Sequence, residues 1–214
     1  MQGSDGLAAL VEGRLSAELA KLGFSRRGTT FVAPHSDVLW LLGAEPAPWG
    51  AAGRVVFSMV WAVRVRGLRR LLGDQAPPGP PVLGRVGQAG GATEPRWFRL
   101  GPTAFPVLGT LRLARAAGEV ASLVEQDAIP RLLDFPDSRA VQRHLVAALD
   151  RRPAAPSPSE VAAVRRVAAI SALRGEHENA SRWLDYLEAR ASRVTPPDVV
   201  AERLAPLRQR CLAS

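Results

Sequence analysis

The sequence predicts an α+β protein, with an antiparallel sheet of four or five strands packed by helices and a C-terminal annex of three helices. From Val55 to Val65 the apolar residues alternate with a period of two, which is typical of a strand with one buried face. Over residues 7–22 they recur with the helical period instead. Strong helix-start patterns from Ser157 onward indicate that the chain ends in helices.

The strands of the sheet begin after the first helix. Gly23 directly follows the helical stripe, at the position where a left-handed C-terminal cap is expected. Residues 29–33 and 37–43 are apolar runs on either side of a short turn, and they predict a hairpin. The long alternating strand comes next, so we expect a three-stranded meander.

A Pro/Gly-rich segment separates the meander from the later part of the sheet. Residues 73–95 contain five prolines and six glycines, which predicts a loop rather than a helix. Residues 82–87 and 96–100 each favour a short strand, the first of them at an edge. These two segments bring the expected sheet to four or five strands.

Two helices are predicted after the sheet. Residues 113–133 carry a helical stripe, and Pro130 predicts a kink or break in it because proline lacks an N–H donor. Asp137 or Ser138 is expected to cap a further helix that runs to Leu149.

A domain boundary is predicted at residues 151–159, where three prolines indicate a short, stiff linker. The chain then divides into an α+β domain over residues 1–150 and a helical annex over residues 157–214. Two segments of the annex have the order of a helix N-cap, a first-turn proline and a capping-box acid. They are Ser157, Pro158 and Glu160, and Thr195, Pro196 and Asp198.

The formal charge of +8 is concentrated in one part of the chain. Residues 54–115 hold 10 arginines against Asp74 and Glu94, whereas the rest of the chain balances at 18 basic and 18 acidic residues. Arginine supplies 27 of the 28 basic residues, which together with abundant Ala, Gly and Pro indicates a GC-rich bacterial genome. A basic region attracts nucleic acid, anionic lipid or an acidic protein, and net charge alone does not choose among them.

Motifs for catalysis, metal binding and phosphate binding are missing from the sequence. His35, His144 and His177 form no metal-ligand spacing, and Cys211 is the single cysteine. Neither a Gly-x-Ser-x-Gly elbow nor a phosphate-binding P-loop is present. We therefore expect no catalytic residue, no metal and no cofactor, and we interpret the chain as a protein without enzymatic activity.

The sequence also bears on the location of the protein. It shows no basic segment followed by an apolar signal core and no run of 18 apolar residues. A lone cysteine suits a reducing compartment. We expect a cytoplasmic protein that does not enter a membrane.

The arginines around the long strand are the candidate binding residues. Arg64 and Arg66 alternate on the strand face opposite the buried one, and Arg69 and Arg70 follow directly. Four guanidinium groups within a few residues suit a multidentate anion site. Trp97 alternates with an aromatic neighbour, so one of the two rings is expected in the core and the other outside it. The predicted binding residues are Arg54, Arg64, Arg66, Arg69, Arg70 and Trp97.

The order of a first helix, a Leu-Gly-Phe turn, a basic pair, a glycine and a strand resembles the bacterial domain-of-unknown-function family 4304. The residues that carry this resemblance are Leu19, Leu22, Gly23, Phe24, Arg26, Arg27, Gly28 and Phe31. Residues 84–87, the aromatic pair at 97–98 and the helix that leads to Pro130 are similar to the later part of the family. The resemblance covers residues 7–149, and it implies a small α+β fold and no established activity.

The leading hypothesis is a non-catalytic binding or interaction module that engages an acidic protein partner through an arginine-rich sheet face. Nucleic-acid binding by the same surface is the first alternative. A toxin-immunity-type protein is the second, although an inhibitor of a nuclease toxin is expected to be acidic. The sequence does not indicate an oligomeric state.

Overall fold

The computed structural model describes residues 7, 10–47, 55–87, 96–100, 106–149, 157–193 and 195–213. These residues form an antiparallel sheet followed by C-terminal helices, which confirms the predicted α+β class. They divide into two compact units. Unit 1 takes residues from 1–35, 39–63 and 82–134, and unit 2 takes residues from 36–38, 64–81 and 135–214.

The described residues form a six-stranded sheet. Its strands are β1 (Ser25–Arg27), β2 (Thr30–His35), β3 (Val38–Pro46), β4 (Val55–Val65), β5 (Val82–Arg85) and β6 (Phe98–Leu100). Their order is β1-β2-β3-β4-β5, and β6 pairs with β4. Because β5 pairs with residues 60–63 of β4 and β6 with residues 55–57, these two short strands lie end to end along one edge of β4.

The predicted strands are confirmed, and β1 is an addition that the sequence pattern did not predict. Its three residues are all exposed, so it shows no apolar alternation. It forms because its backbone pairs with β2, with Ser25 opposite Val32 and Arg27 opposite Thr30. Gly28, in the turn between them, has a left-handed φ of 61° that favours glycine.

The helices of the described residues follow in chain order. They are α1 (Ser16–Lys21), α2 (Leu68–Leu72), α3 (Pro106–Leu123), α4 (Ile129–Leu133), α5 (Ser138–Leu149), α6 (Pro158–Leu173), α7 (His177–Ala191) and α8 (Pro197–Leu212). A π-helical segment, Val11–Leu15, leads into α1. Within the described part of the chain, no helix is long and apolar enough to cross a membrane.

The first helix ends as its sequence predicts. Gly23 has a φ of 85°, and its N–H donates to the Ala20 carbonyl at 3.0 Å. The Phe24 N–H donates to the Leu19 carbonyl at 3.1 Å, which completes a Schellman cap. The left-handed glycine thus satisfies carbonyls that would otherwise lack a partner.

The core of unit 1 contains the odd-numbered face of β4, where Phe57, Met59 and Val63 are fully buried. Phe98 of β6 stacks on Phe57 with ring centroids 5.2 Å apart. Phe98 is therefore the core member of the aromatic pair, and Trp97 is half-buried. Helix α3 contacts both α1 and β6.

The predicted break before Pro130 takes the form of a π-helical turn, Val124–Ala128, between α3 and α4. The wider turn accommodates a proline that cannot donate a backbone hydrogen bond. Asp127 in this turn is buried, and its carboxylate accepts a hydrogen bond from the Gly87 N–H at 2.6 Å and one from Arg131 Nε at 3.0 Å. Helix α3 begins earlier than the apolar stripe indicated.

Unit 2 contains the predicted C-terminal helices α6, α7 and α8, which contact one another. Helix α5 and residues 64–81 also belong to this unit, whereas the sequence placed them in the first domain. Helix α5 packs against α6, and Gln142 Nε2 donates to the buried Ser171 Oγ at 2.7 Å. Residues 151–156 of the predicted linker lie outside the described residues.

The predicted helix starts are confirmed in part. At α6, the Glu160 N–H donates to Ser157 Oγ at 3.2 Å, so Ser157 is the N-cap. The expected capping-box role of Glu160 is wrong, because its buried carboxylate lies 2.8 Å from Arg190 Nε. A buried carboxylate is stabilised more by a cation than by one backbone N–H.

The predicted side-chain cap of the last helix is also wrong. Helix α8 starts at Pro197 with Pro196 at its N-cap, and it has no side-chain cap hydrogen bond. By contrast, Asp137 caps α5 as expected, since its Oδ1 accepts the Ala140 N–H at 2.8 Å.

The contact between Gly84 and Trp61 gives a test of the sheet. A Cβ atom on Gly84 would lie 2.4 Å from Trp61 Cζ2, so Gly84→Ala is expected to lower the free energy of unfolding by about 1–3 kcal/mol. Gly118 on α3 is the control, since a Cβ there meets no heavy atom within 4 Å. Gly118→Ala should raise stability by about 0.5–1 kcal/mol. Urea denaturation measures both, and equal midpoints for the two variants would contradict the packing of β5 against Trp61.

Candidate functional site

The predicted residues Arg64, Arg66, Arg69 and Arg70 lie in unit 2, at the end of β4, in the turn that follows it and on helix α2. Gly67 joins these elements with a left-handed φ of 78°, and its carbonyl accepts the Leu71 N–H at 3.0 Å. A Cβ atom on Gly67 would lie 3.2 Å from a Leu173 methyl, so the turn has little room for a larger residue. This tight turn keeps the two arginine pairs close along the chain.

All four of these arginines are exposed. None of them makes a side-chain hydrogen bond or an ion pair with any other residue that the structure describes. Their guanidinium groups therefore have donors available to a ligand, and no charge in the described part of unit 2 neutralises them by direct contact.

Three arginines of unit 1 in the same stretch are engaged within the protein, whereas Arg99 is exposed. Arg85 lies 2.7 Å from a carboxylate oxygen of Glu45, and Arg115 lies 2.9 Å from Glu119. The Arg96 guanidinium lies 6.0 Å from the centre of an aromatic ring. Carboxylates thus neutralise part of the positive charge of residues 54–115 in unit 1. The positive charge of residues 64–70 has no such partner among the described residues.

The sheet face of β4 differs from the arginine-rich face that the sequence predicted. Ser58 and Ala62, on the even-numbered side, are buried, and arginine occurs there only at the end of the strand. Arg54 lies outside the described residues. Trp97 belongs to unit 1, so it is not grouped with the arginines of unit 2.

A groove with a volume of about 400 Å³ lies in unit 2 beside α2, and we call it the arginine groove. Arg64, Arg69 and Arg166 line it with cationic groups, whereas Arg66 and Arg70 are not among its lining residues. Its apolar lining consists of Val65, Leu68 and Leu72, together with residues 76–81. Asp74 is the one carboxylate among the described residues of this lining.

The proline-rich side of the groove is fixed by an arginine of α6. Arg166 Nη2 donates to the carbonyl oxygens of Pro78 and Gly79, both at 3.0 Å. Burial lowers the pKa of Arg166 from its usual range, and the charged side chain is compensated by these two carbonyl dipoles. We call residues 76–81 the proline wall. They are held by an arginine that lies far from them in the chain.

A second arginine stabilises the short helix on the other side of the groove. Arg210 Nε donates to the Leu71 carbonyl at 2.7 Å, and its Nη2 donates to the Leu72 carbonyl at 3.0 Å. These are carbonyls at the end of α2, which have no intrahelical partner. A cation at a helix C-terminus is also favourable for the helix dipole.

Sequence reasoning missed Arg166 and Arg210 as parts of the site. Both lie in the C-terminal helices, far along the chain from the segment that they hold. The run of prolines at residues 77–81 was one available signal, because a rigid segment next to arginines is suited to form the side of a binding groove. Nothing in the sequence pairs this run with an arginine of α6.

The other residues considered for chemistry are placed as follows. Cys211 is buried, and His177 Nδ1 lies 2.9 Å from the Cys211 carbonyl oxygen. His35 contacts the ring of Trp40, and His144 contacts the ring of Phe135. Among the residues that the structure describes, no three His, Cys, Asp or Glu side chains are grouped as a metal site.

Comparisons of the chain with protein-family models, with curated proteins and with solved structures find no match. The resemblance to family 4304 therefore stays a prediction. Any function must be inferred from the residues of the site itself.

Removal of the Arg166 contact should loosen the proline wall. In Arg166→Gln, we expect faster hydrogen–deuterium exchange at the amides of Ala76 and Gly79 and a loss of about 1–2 kcal/mol in stability. Arg182→Gln is a matched control, because Arg182 is exposed and pairs with Glu178 on its own helix. Unchanged exchange in the Arg166 variant would contradict the role assigned to this arginine.

The single cysteine should be unreactive in the folded protein. Burial raises the pKa of the Cys211 thiol to about 11, and the opposing effect of the Arg210 charge is smaller. The thiol is then protonated at neutral and mildly alkaline pH, and the reactive thiolate is scarce. We expect slow alkylation by iodoacetamide in buffer and fast alkylation in denaturing urea, as measured by mass spectrometry. Rapid alkylation of the native protein would contradict this placement of Cys211.

Proposed function

We propose that the protein is a non-catalytic binding module that holds an acidic segment of a partner protein at Arg64, Arg66, Arg69 and Arg70. The observation that carries this proposal is the presence of four exposed guanidinium groups, without partners in the described structure, within residues 64–70. Guanidinium groups bind carboxylates through paired hydrogen bonds, and several such pairs give a geometric match as well as charge.

Because these arginines are exposed, only certain partners can bind them firmly. A single exposed ion pair contributes about 0.2–1 kcal/mol and is screened by salt. A partner therefore needs several carboxylates close together, and its binding should weaken as ionic strength rises. An acidic, extended protein segment meets both conditions.

The lining of the arginine groove favours a protein partner over nucleic acid. Recognition of single-stranded nucleic acid combines basic residues with exposed rings on which bases stack. Among the residues that the structure describes, those that line the groove include no aromatic side chain. An immunity-type role would be one form of the proposed binding, and it would require an acidic surface on the toxin.

The proposal is tested with defined probes. A fluorescein-labelled peptide of alternating glutamate and alanine is titrated with the protein, and its fluorescence anisotropy gives the affinity. In the variant with both Arg64→Glu and Arg69→Glu we expect at least about tenfold weaker binding, because two attractive charges become repulsive. Arg143→Glu, an exposed arginine of α5, is the control and should change affinity by less than about twofold.

Two results would overturn the proposal. One is the absence of peptide binding at low ionic strength. The other is tighter binding of single-stranded DNA or RNA of matching length, lost in the double variant, which would assign the same arginines to nucleic acid instead.

A further inference from the structure

The arginine groove offers more than charge, because apolar side chains line it beside the cations. Val65, Leu68 and Leu72 are buried side chains that line it, and the proline wall lines it as well. Proline rings are rigid and apolar, so this lining suits an uncharged side chain. The volume of about 400 Å³ lies in the lower part of the range of ligand pockets, about 300–1,000 Å³, and has room for one aromatic side chain.

Contacts within the protein hold both sides of the groove in place. Arg166 holds the proline wall through the Pro78 and Gly79 carbonyls, and the Ala76 N–H donates to the Gly73 carbonyl at 3.0 Å. The opposite side is α2, whose end is held by Arg210. A preformed groove lowers the ordering cost of binding.

The geometry points to a specific ligand: an acidic peptide segment with one aromatic side chain, which inserts between α2 and the proline wall while flanking carboxylates pair with Arg64 and Arg69. This inference rests on the proposed function and adds the aromatic anchor to it. Aromatic side chains pack on proline rings, and buried aromatic anchors carry much of the energy of many protein interfaces.

The charges of the lining support an uncharged anchor with acidic neighbours. Arg64 and Arg69 are exposed on the groove and attract carboxylates, whereas Asp74 repels a carboxylate at its own position. Arg166 Nη2 is already engaged by the carbonyl oxygens of the proline wall. Acidic residues of the ligand are therefore expected beside Arg64 and Arg69, and the apolar lining takes the aromatic ring.

Two peptides separate the contribution of the aromatic side chain to the affinity from the contribution of the charges. One has phenylalanine between two runs of glutamate, and the other has alanine at the same place. We expect the phenylalanine peptide to bind at least about fivefold more tightly, because a partly buried aromatic ring adds to the ion pairs. Anisotropy of the labelled peptides measures both affinities with the full chain.

A variant that fills the groove completes the test. Ala76→Trp should remove the difference between the two peptides while the alanine peptide keeps its affinity, because Arg64 and Arg69 are unchanged. Ala201→Trp, at an exposed position of α8, is the matched control and should keep the difference.

A second readout does not depend on the folding of any variant. With 4-fluorophenylalanine as the anchor, the fluorine NMR resonance should shift when the peptide binds the wild-type protein, because the ring leaves water. Equal affinity of the two peptides, or an unshifted fluorine resonance in the bound peptide, overturns the aromatic anchor. In that case, the proposed function is still supported if the variant with Arg64→Glu and Arg69→Glu loses binding of both peptides. If neither peptide binds the wild-type protein, both proposals are overturned.

Discussion

Helix α2 has five residues, too few to be stable through its own hydrogen bonds, and the candidate site depends on how this short helix is held. Gly67 starts it in a left-handed conformation that other residues adopt at a cost. Arg210 satisfies the carbonyls of Leu71 and Leu72 at its end. Buried Leu68 and Leu72 anchor it in the apolar interior of unit 2. The positions of Arg69 and Arg70 follow from this arrangement, because they occupy the exposed side of the same helix.

Arginine has two separate uses in unit 2. Some guanidinium groups satisfy the backbone or a carboxylate of the protein itself, as Arg166, Arg210 and Arg190 do. Those contacts need several donors in a planar arrangement, which lysine does not provide. The arginines at the end of β4 and on α2 have no such partner among the described residues. The difference distinguishes arginines that stabilise the fold from those that are available to bind a ligand.

Local patterns predicted most of the fold, and the exceptions have a common cause. The alternation over Val55–Val65, the glycine cap at Gly23 and the cap at Asp137 depend on nearby residues, and the structure confirms them. Strand β1 was not predicted because backbone pairing with β2, rather than its own composition, forms it. Glu160 was assigned to a helix cap, yet Arg190, thirty residues away, binds its carboxylate.

The sequence by itself determined the fold class, most of the strands and helices, and the cluster of arginines at residues 64–70, because periodicity, capping and charge are local properties. The tertiary structure alone decided which arginines remain available and where the groove lies. Arg85 is engaged by Glu45, which lies far from it in the chain, and Arg166 and Arg210 reach residues 64–81 from distant helices. The physical reason is that folding decides which groups come within hydrogen-bonding distance of a guanidinium. For these arginines, the groups lie far away in the chain.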